Sequence, residues 1–276
     1  MLALGSRCVI RRIDAYATNV GAGVAYDGAV PSVTGWMGQV RPRVLAVRGG
    51  LHPVSALRIV LGDHRDVRLR GVRLAGPSAR GVAFTAVDVA AGEYVAPGFE
   101  IEAGDRVVDC GANVGAFAVW AARAGASVDA YEPHPETFEW LRRNTDGLEV
   151  RCVRAAVVAV APAEGGVALE AGSASDTHHA VGDPSGGGRS IEVPAVSLAD
   201  AIGEGCDLLK IDCEGAEFDL LGATPAEALR RARRIACEVH DWRGDPGELE
   251  GRLGEAGFVV WRRPKPNGLS MLFARL

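Results

Sequence analysis

A chain of 276 residues with 48% hydrophobic side chains can form one large or two small domains around a buried core. Its net charge of −5 gives no bulk electrostatic case for binding nucleic acid. No apolar run approaches the length of a membrane span, and Arg7, Arg11 and Arg12 interrupt the first apolar residues, so neither a membrane helix nor a leader is expected.

Residues 1–92 read as an N-terminal β-rich subdomain. Short apolar runs at 8–10, 44–47, 57–61, 67–74 and 82–89 are broken by Gly, Pro and Asp, the texture of short antiparallel strands and turns. The Gly/Ala/Ser/Thr-rich stretch 17–39, with Tyr26, Trp36 and Met37, suits a lid or an irregular connection. From Ile101 strands and helices alternate. A strand at 105–110 leads to a helix near 113–124, and a strand at 127–132 to a helix at 134–143 with Pro135 in its first turn. The run 148–158 reads as the next strand. A Gly/Ser-rich interruption at 161–190, with short extended pieces, carries His178 and His179, which read better as solvated loop residues than as catalytic ones. Extended residues 191–193 precede a short helix that Ser197 can cap. A buried strand at 207–212, a helix at 214–221, a strand at 234–239, a helix at 246–256 and two closing strands at 258–262 and 269–276 complete the chain. This order predicts a doubly wound α/β sheet over 93–276, parallel except for one reversed strand in the final pair, a pattern that fits the seven-stranded variant of that fold.

Six cysteines show no CxxC pair and no zinc spacing, and several sit in apolar runs. They are expected to be reduced, and the protein cytoplasmic. Lys210 and Lys265 are the only lysines; the abundance of arginine reads as coding bias rather than function.

In such sheets ligands bind outside the carboxyl ends of the strands. The first strand ends in Val108-Asp109-Cys110-Gly111-Ala112-Asn113-Val114-Gly115. Its glycine spacing is not that of a dinucleotide fingerprint, and an acid at Asp109 would repel phosphate. A carboxylate there suits a cationic amine, as in S-adenosylmethionine, which carries no phosphate. Gly111, Ala112, Asn113 and Gly115 would let the backbone approach that ligand. Glu132, in Tyr131-Glu132-Pro133, follows at roughly the 20-residue spacing at which an acid meets ribose hydroxyls. The fourth strand ends in Lys210-Ile211-Asp212-Cys213-Glu214-Gly215-Ala216-Glu217, the fifth in Glu238-Val239-His240. Glu238 and His240 share a face by strand alternation, so Asp212, Glu238 and His240 could converge on a substrate hydroxyl.

These motifs, with Leu208-Leu209 before Lys210 and the lead-in Val196-Ser197-Leu198-Ala199-Asp200, resemble the FkbM family of S-adenosylmethionine-dependent methyltransferases from about Glu93 to Val239. Ser197 stands where that family often has Thr, and Ala199 where it often has Asp. The resemblance implies a class I methyltransferase fold, S-adenosylmethionine as donor, and O-methylation of a small natural product or sugar. Residues 1–92 would then set the acceptor. Cofactor contacts are expected from Asp109, Gly111, Ala112, Asn113, Gly115, Glu132, Pro133 and Asp212. Catalysis is expected from His240 as base, with Asp212 or Glu238 orienting it or replacing it. No metal is assigned; the alternative is Mg²⁺ held by Asp212, Glu238 and His240 near an acceptor diol. Two further alternatives are a non-methylating enzyme that uses S-adenosylmethionine in cyclase fashion and a non-catalytic binding module. The partner is a small molecule, with no nucleic acid and no membrane, and self-association is left open.

Overall fold

The computed structural model describes residues 45–163, 166–171, 178–180, 189–265 and 268–276. Helices α1 (Pro53–Val60) and α2 (Ala79–Ala91) flank a short hairpin of β1 (Val67–Leu69) and β2 (Val72–Leu74). The central part runs β3 (Arg106–Cys110), α3 (Ala116–Ala122), β4 (Ser127–Tyr131), α4 (Pro135–Asn144), β5 (Val150–Val153) and β6 (Ala156–Val158). Then come β7 (Val167–Ala171), β8 (His178–Ala180), β9 (Arg189–Val193), β10 (Ala195–Ser197) and α5 (Leu198–Ile202). The last part is β11 (Leu208–Ile211), α6 (Glu217–Ala223), α7 (Ala226–Leu229), β12 (Arg234–His240), α8 (Pro246–Glu255), β13 (Val259–Lys265) and β14 (Leu269–Arg275).

Seven strands form the main sheet in the order β13-β14-β12-β11-β3-β4-β5. All pairings from β5 to β12 are parallel, and β14 runs antiparallel to both β12 and β13. This is the doubly wound arrangement with one reversed strand that the alternation of elements predicts. The order doubles back at β3 and β11, which opens a crevice beyond their carboxyl ends.

Three predicted features change. The β-rich N-terminal expectation gives way, in the described part, to two helices and one hairpin. The run at 57–61 belongs to α1, where Ser55, Ala56 and Ile59 are buried while Leu57 and Leu61 face solvent. In α2, Ser78 accepts from Gly81 N at one end and Gly92 closes the other in the left-handed region. Of its buried residues, Val82, Ala83, Ala86, Val87 and Ala90 recur at three and four, and Val89 is buried as well. The apolar period is helical, and β-branched content alone misleads. The stretch read as a lid, 17–39, lies outside the described residues. The run at 148–158 also divides. Ala155 N bonds back to Val153 O and ends β5, and β6 leaves to pair with β10. The segment read as a Gly/Ser-rich interruption contributes a three-stranded antiparallel sheet, β8-β7-β9, with His178 and His179 in β8.

The core has two halves, one on each face of the sheet. Val107, Leu208 and Ala236 pack with α2, α3 and the N-terminal elements. Val108, Leu209, Ile211, Cys237 and Val239 pack with α5 to α8. Strand alternation therefore puts Asp109, Lys210, Asp212, Glu238 and His240 on the first face, toward α2 and α3. Cys110, Cys152, Cys206, Cys213 and Cys237 are free thiols. Among the described residues no helix is long and apolar enough to cross a membrane.

Candidate active site

The turn after β3 requires positive φ at Gly111 (77°), Asn113 (50°) and Gly115 (89°). A Cβ on Gly111 would lie 1.8 Å from Asp212 O, so the turns after β3 and β11 are in backbone contact. Gly111 N and Ala112 N donate to Tyr131 O, which fixes the turn to the end of β4. Glu132 stands beside it and is 6% exposed. Its Oε2 accepts from Asn113 N at 3.0 Å and its Oε1 from His134 N at 2.8 Å. Pro133 has no N–H to offer, so the second bond comes from the N-cap of α4. Burial lifts the Glu132 carboxyl to about 7, against the lowering pull of those two N–H groups.

Asp109 is fully buried. Its charge is matched within the protein, because Lys210 Nζ lies 3.0 Å from Oδ1. Lys210, 3% exposed, also donates to Gly111 O at 2.7 Å. Burial works against its charge, but Asp109 and Asp212 outweigh that and hold the ammonium well above the ordinary lysine range. Asp109 is itself pushed up by burial. The expectation that Asp109 touches a cationic amine directly is therefore revised: in this arrangement it has no exposed surface, and it acts on the turn through Lys210.

Asp212 is the acid of this group that solvent still reaches, with 23% of its side chain exposed. Its Oδ2 accepts the Tyr94 hydroxyl at 2.7 Å. The Tyr94 phenol is driven well above its usual range by burial and the neighbouring Asp212 charge. Lys210 Nζ stands 5.2 Å from the Tyr94 ring centroid. Glu238 is paired 2.5 Å from Lys265 Nζ, which also binds Glu93. Burial, Asp212 and Glu93 push Glu238 up, with Lys265 opposing.

His240 is buried between carboxylates, with Nε2 3.3 Å from Glu214 and Nδ1 3.2 Å from Glu217. Burial disfavours its charge, yet the two glutamates carry it up to about 11. Both ring nitrogens face carboxylates, and neither is open to a hydroxyl. The expectation of His240 as base is revised for that reason. Glu217 Oε1 also accepts from Cys213 N and Gly215 N, which holds the loop after β11. One ligand atom from each of Asp212, Glu217 and His240 lies within 4.8 Å of the others, so these three, and not the Asp212–Glu238–His240 set, could hold a metal ion.

The structure thus brings Asp109, Gly111, Asp212, Glu238 and His240 to one end of the sheet, with Glu132 on the neighbouring strand. Sequence reasoning gave no role to Lys210, Tyr94, Lys265 or Glu93. The lysines carried a signal: in a chain whose basic residues are otherwise arginine, one lysine interrupts the apolar strand Leu208-Leu209-Lys210-Ile211. A charge in such a strand calls for a buried partner.

The fold and its crevice define a class I S-adenosylmethionine-dependent methyltransferase. The model of the methyltransferase FkbM domain matches residues 109–260, and the chain belongs to that family. It is 30% identical over 212 residues to the 31-O-demethyl-FK506 methyltransferase FkbM of Streptomyces tacrolimicus, a match covering 63% of this chain and 80% of that protein. It is 26% identical over 208 residues to the methyltransferase sdnD of Sordaria araneosa, covering 61% and 80%. A solved S-adenosylmethionine-dependent methyltransferase from Agrobacterium tumefaciens aligns with a TM-score of 0.45 at 14% identity, over 76% of this chain and 68% of that one. S-adenosylmethionine is the cofactor. The donor set beside the turn fits a phosphate-free ligand: the Glu132 carboxylate stands at the end of β4, and Lys210 is committed to Asp109 and Gly111 O and is not available to a phosphate.

Proposed function

We propose that the protein methylates a hydroxyl oxygen of a small natural product or sugar. The observation that carries this reading is Asp212. It is a part-exposed carboxylate, anchored by Tyr94, in backbone contact with the glycine turn of the cofactor side. The Streptomyces tacrolimicus relative is named as a methyltransferase of 31-O-demethyl-FK506, which supports an oxygen acceptor here.

S-adenosylmethionine brings an activated methyl group, so the chain's task is alignment, exclusion of water and handling one proton. Gly111, Ala112, Asn113 and Gly115 form the floor against which the cofactor lies. Glu132 accepts the ribose hydroxyls, with Pro133 fixing its approach. Asp109 and Lys210 hold the turn and the end of β11 in register. Asp212 orients the acceptor hydroxyl and receives its proton, because Oδ2 is held by Tyr94 and Oδ1 takes no bond from the described residues. Glu238 keeps Lys265 at the acceptor edge. Glu93 and Tyr94, just past α2, reach this same edge and border the acceptor. Five free thiols among the described residues fit a reducing, cytoplasmic setting.

The direct test incubates the protein with S-adenosylmethionine and a panel of hydroxylated small natural products and sugars. S-adenosylhomocysteine and a methyl ether are expected. Methylation on nitrogen or carbon, or release of methylthioadenosine, overturns the reading. Asp212→Asn is expected to lower kcat by about 10²–10⁴-fold, the usual worth of a positioned base. A loss below threefold removes Asp212 from that role.

Glu132 gives a pH prediction. Its carboxyl titrates at about 7, and only the ionised form accepts both ribose hydroxyls while keeping its two backbone bonds. Binding competence therefore falls as pH drops through that value. The Kd for S-adenosylmethionine should rise about tenfold between pH 8 and pH 6, by the competent fraction alone. Glu132→Gln should bind more weakly and show a flat profile. A parent profile already flat in calorimetry would refute the role.

A further inference from the structure

We infer that Asp212, Glu217 and His240 form a binding site for one first-row divalent cation at the acceptor end of the crevice. They reach it from three separate positions: just past the end of β11, the first residue of α6 and the last residue of β12. One ligand atom from each lies within 4.8 Å of the other two. Donors on opposite sides of an ion bound at typical lengths stand roughly 4.2 Å apart, so small side-chain movements close the set.

A second observation is independent of that proximity. Glu217 Oε2 is shut off from solvent and has no hydrogen-bond partner. Glu217 is 0% exposed. A buried polar atom left unsatisfied costs about 1–3 kcal/mol, and such atoms are rare unless a ligand completes them. The carboxylate is not loose, because Oε1 is fixed by Cys213 N and Gly215 N. Nδ1 of His240 faces Oε1 at 3.2 Å, so the imidazole is already turned toward this carboxylate. Glu214 adds a third carboxylate against the same ring. Three acids around one imidazole form a strongly negative pocket, which a divalent cation neutralises.

The donor set selects the ion. One imidazole with two carboxylates suits Mn²⁺, Fe²⁺ or Zn²⁺, whereas Ca²⁺ and Mg²⁺ take oxygen ligands. Asp212 is the ligand that solvent reaches, so the remaining coordination positions open toward the crevice. An acceptor hydroxyl or a water is the natural occupant there. The use of the site rests on the methyl-transfer reading above, but its existence does not.

The test uses the full chain, stripped with EDTA and dialysed, with Mn²⁺ as the probe. Calorimetry and the loss of the free Mn²⁺ paramagnetic signal should give one ion per chain. His240→Gln and Asp212→Asn should each weaken Mn²⁺ binding at least tenfold. Glu217→Gln should do the same, and if it fails to fold, as judged by loss of S-adenosylmethionine binding, His240→Gln decides alone. A stoichiometry well below one in a parent chain that binds S-adenosylmethionine overturns the site and leaves methyl transfer standing. So does Mn²⁺ affinity unchanged in His240→Gln. Intact Mn²⁺ binding with no methyl ether formed on any acceptor overturns the O-methylation reading instead.

Discussion

Lys210→Met is expected to destabilise the protein by about 3–5 kcal/mol, the usual cost of stripping one partner from a buried ion pair. The geometry puts the cost at the high end of ordinary point mutations. Lys210 and Asp109 are register partners on adjacent parallel strands, 3% and 0% exposed. Nothing else in the described structure neutralises Asp109 at bonding distance, and Met cannot replace the bond to Gly111 O. With about 2–4 °C per kcal/mol for a chain of this size, Tm should fall by roughly 10 °C. The double variant Asp109→Asn with Lys210→Met should recover more than half of the loss, because the charge no longer needs a partner. Strictly additive costs in denaturant titrations would show that the pair is not coupled.

The same variant has a pH signature. Asp109 is already raised by burial, and losing Lys210 raises it further. A carboxyl whose folded value exceeds its unfolded value stabilises at low pH and loses that contribution as pH climbs toward the folded value. Lys210→Met should therefore be less impaired at pH 5 than at pH 8. The reverse order would exclude Asp109 as the source of the defect.

The sheet was legible because its signals are local and repeated. Val107-Val108 before Asp109, Leu208-Leu209 before Lys210 and Ile235-Ala236-Cys237 before Glu238 each announce a buried strand, and Pro135 and Pro246 announce helix starts. Elements whose identity depends on period were less visible. In α1 and α2 the same β-branched and leucine residues fit either reading until the buried set, spaced by three and four, is known. The break between β5 and β6 rests on one backbone bond, from Ala155 N to Val153 O, that no side chain advertises.

The candidate site divides the same way. Strand ends could be read, so the placement of Asp109, Glu132, Asp212, Glu238 and His240 at the carboxyl ends of β3, β4, β11 and β12 followed from the sequence. Their partners come from elsewhere in the chain: Tyr94 from just past α2, Lys265 from the end of β13, and Glu217 as an apparent helix-start acid. Those partners decide what each group can do. They turn Asp109 inward, clamp His240 and leave Asp212 reachable. The two lysines first looked like residue of a coding bias. Each is instead the cation of a buried cluster of acids at the crevice, where a compact ammonium with three donors fits between several oxygens better than a planar guanidinium.

Gly111→Ala should be the second severe substitution, and it tests whether the two halves of the crevice are one structure. Two costs add at this position. An alanine at φ 77° carries the left-handed penalty of about 1–2 kcal/mol. Its Cβ would also meet Asp212 O at 1.8 Å, a backbone atom that moves only if the end of β11 moves. Overpacking of this kind costs about 1–3 kcal/mol more. Gly147 supplies the control: its φ is 72°, but nothing lies within 4 Å of an added Cβ. Gly147→Ala should therefore show the conformational penalty alone, with S-adenosylmethionine binding preserved. Gly111→Ala should lose roughly twice as much Tm and most of its S-adenosylmethionine affinity, because relief of the clash shifts Asp212 and the turn together. Equal losses in the two variants would mean that the turns after β3 and β11 are not in contact, and Asp212 would then have no fixed position relative to the transferred methyl group.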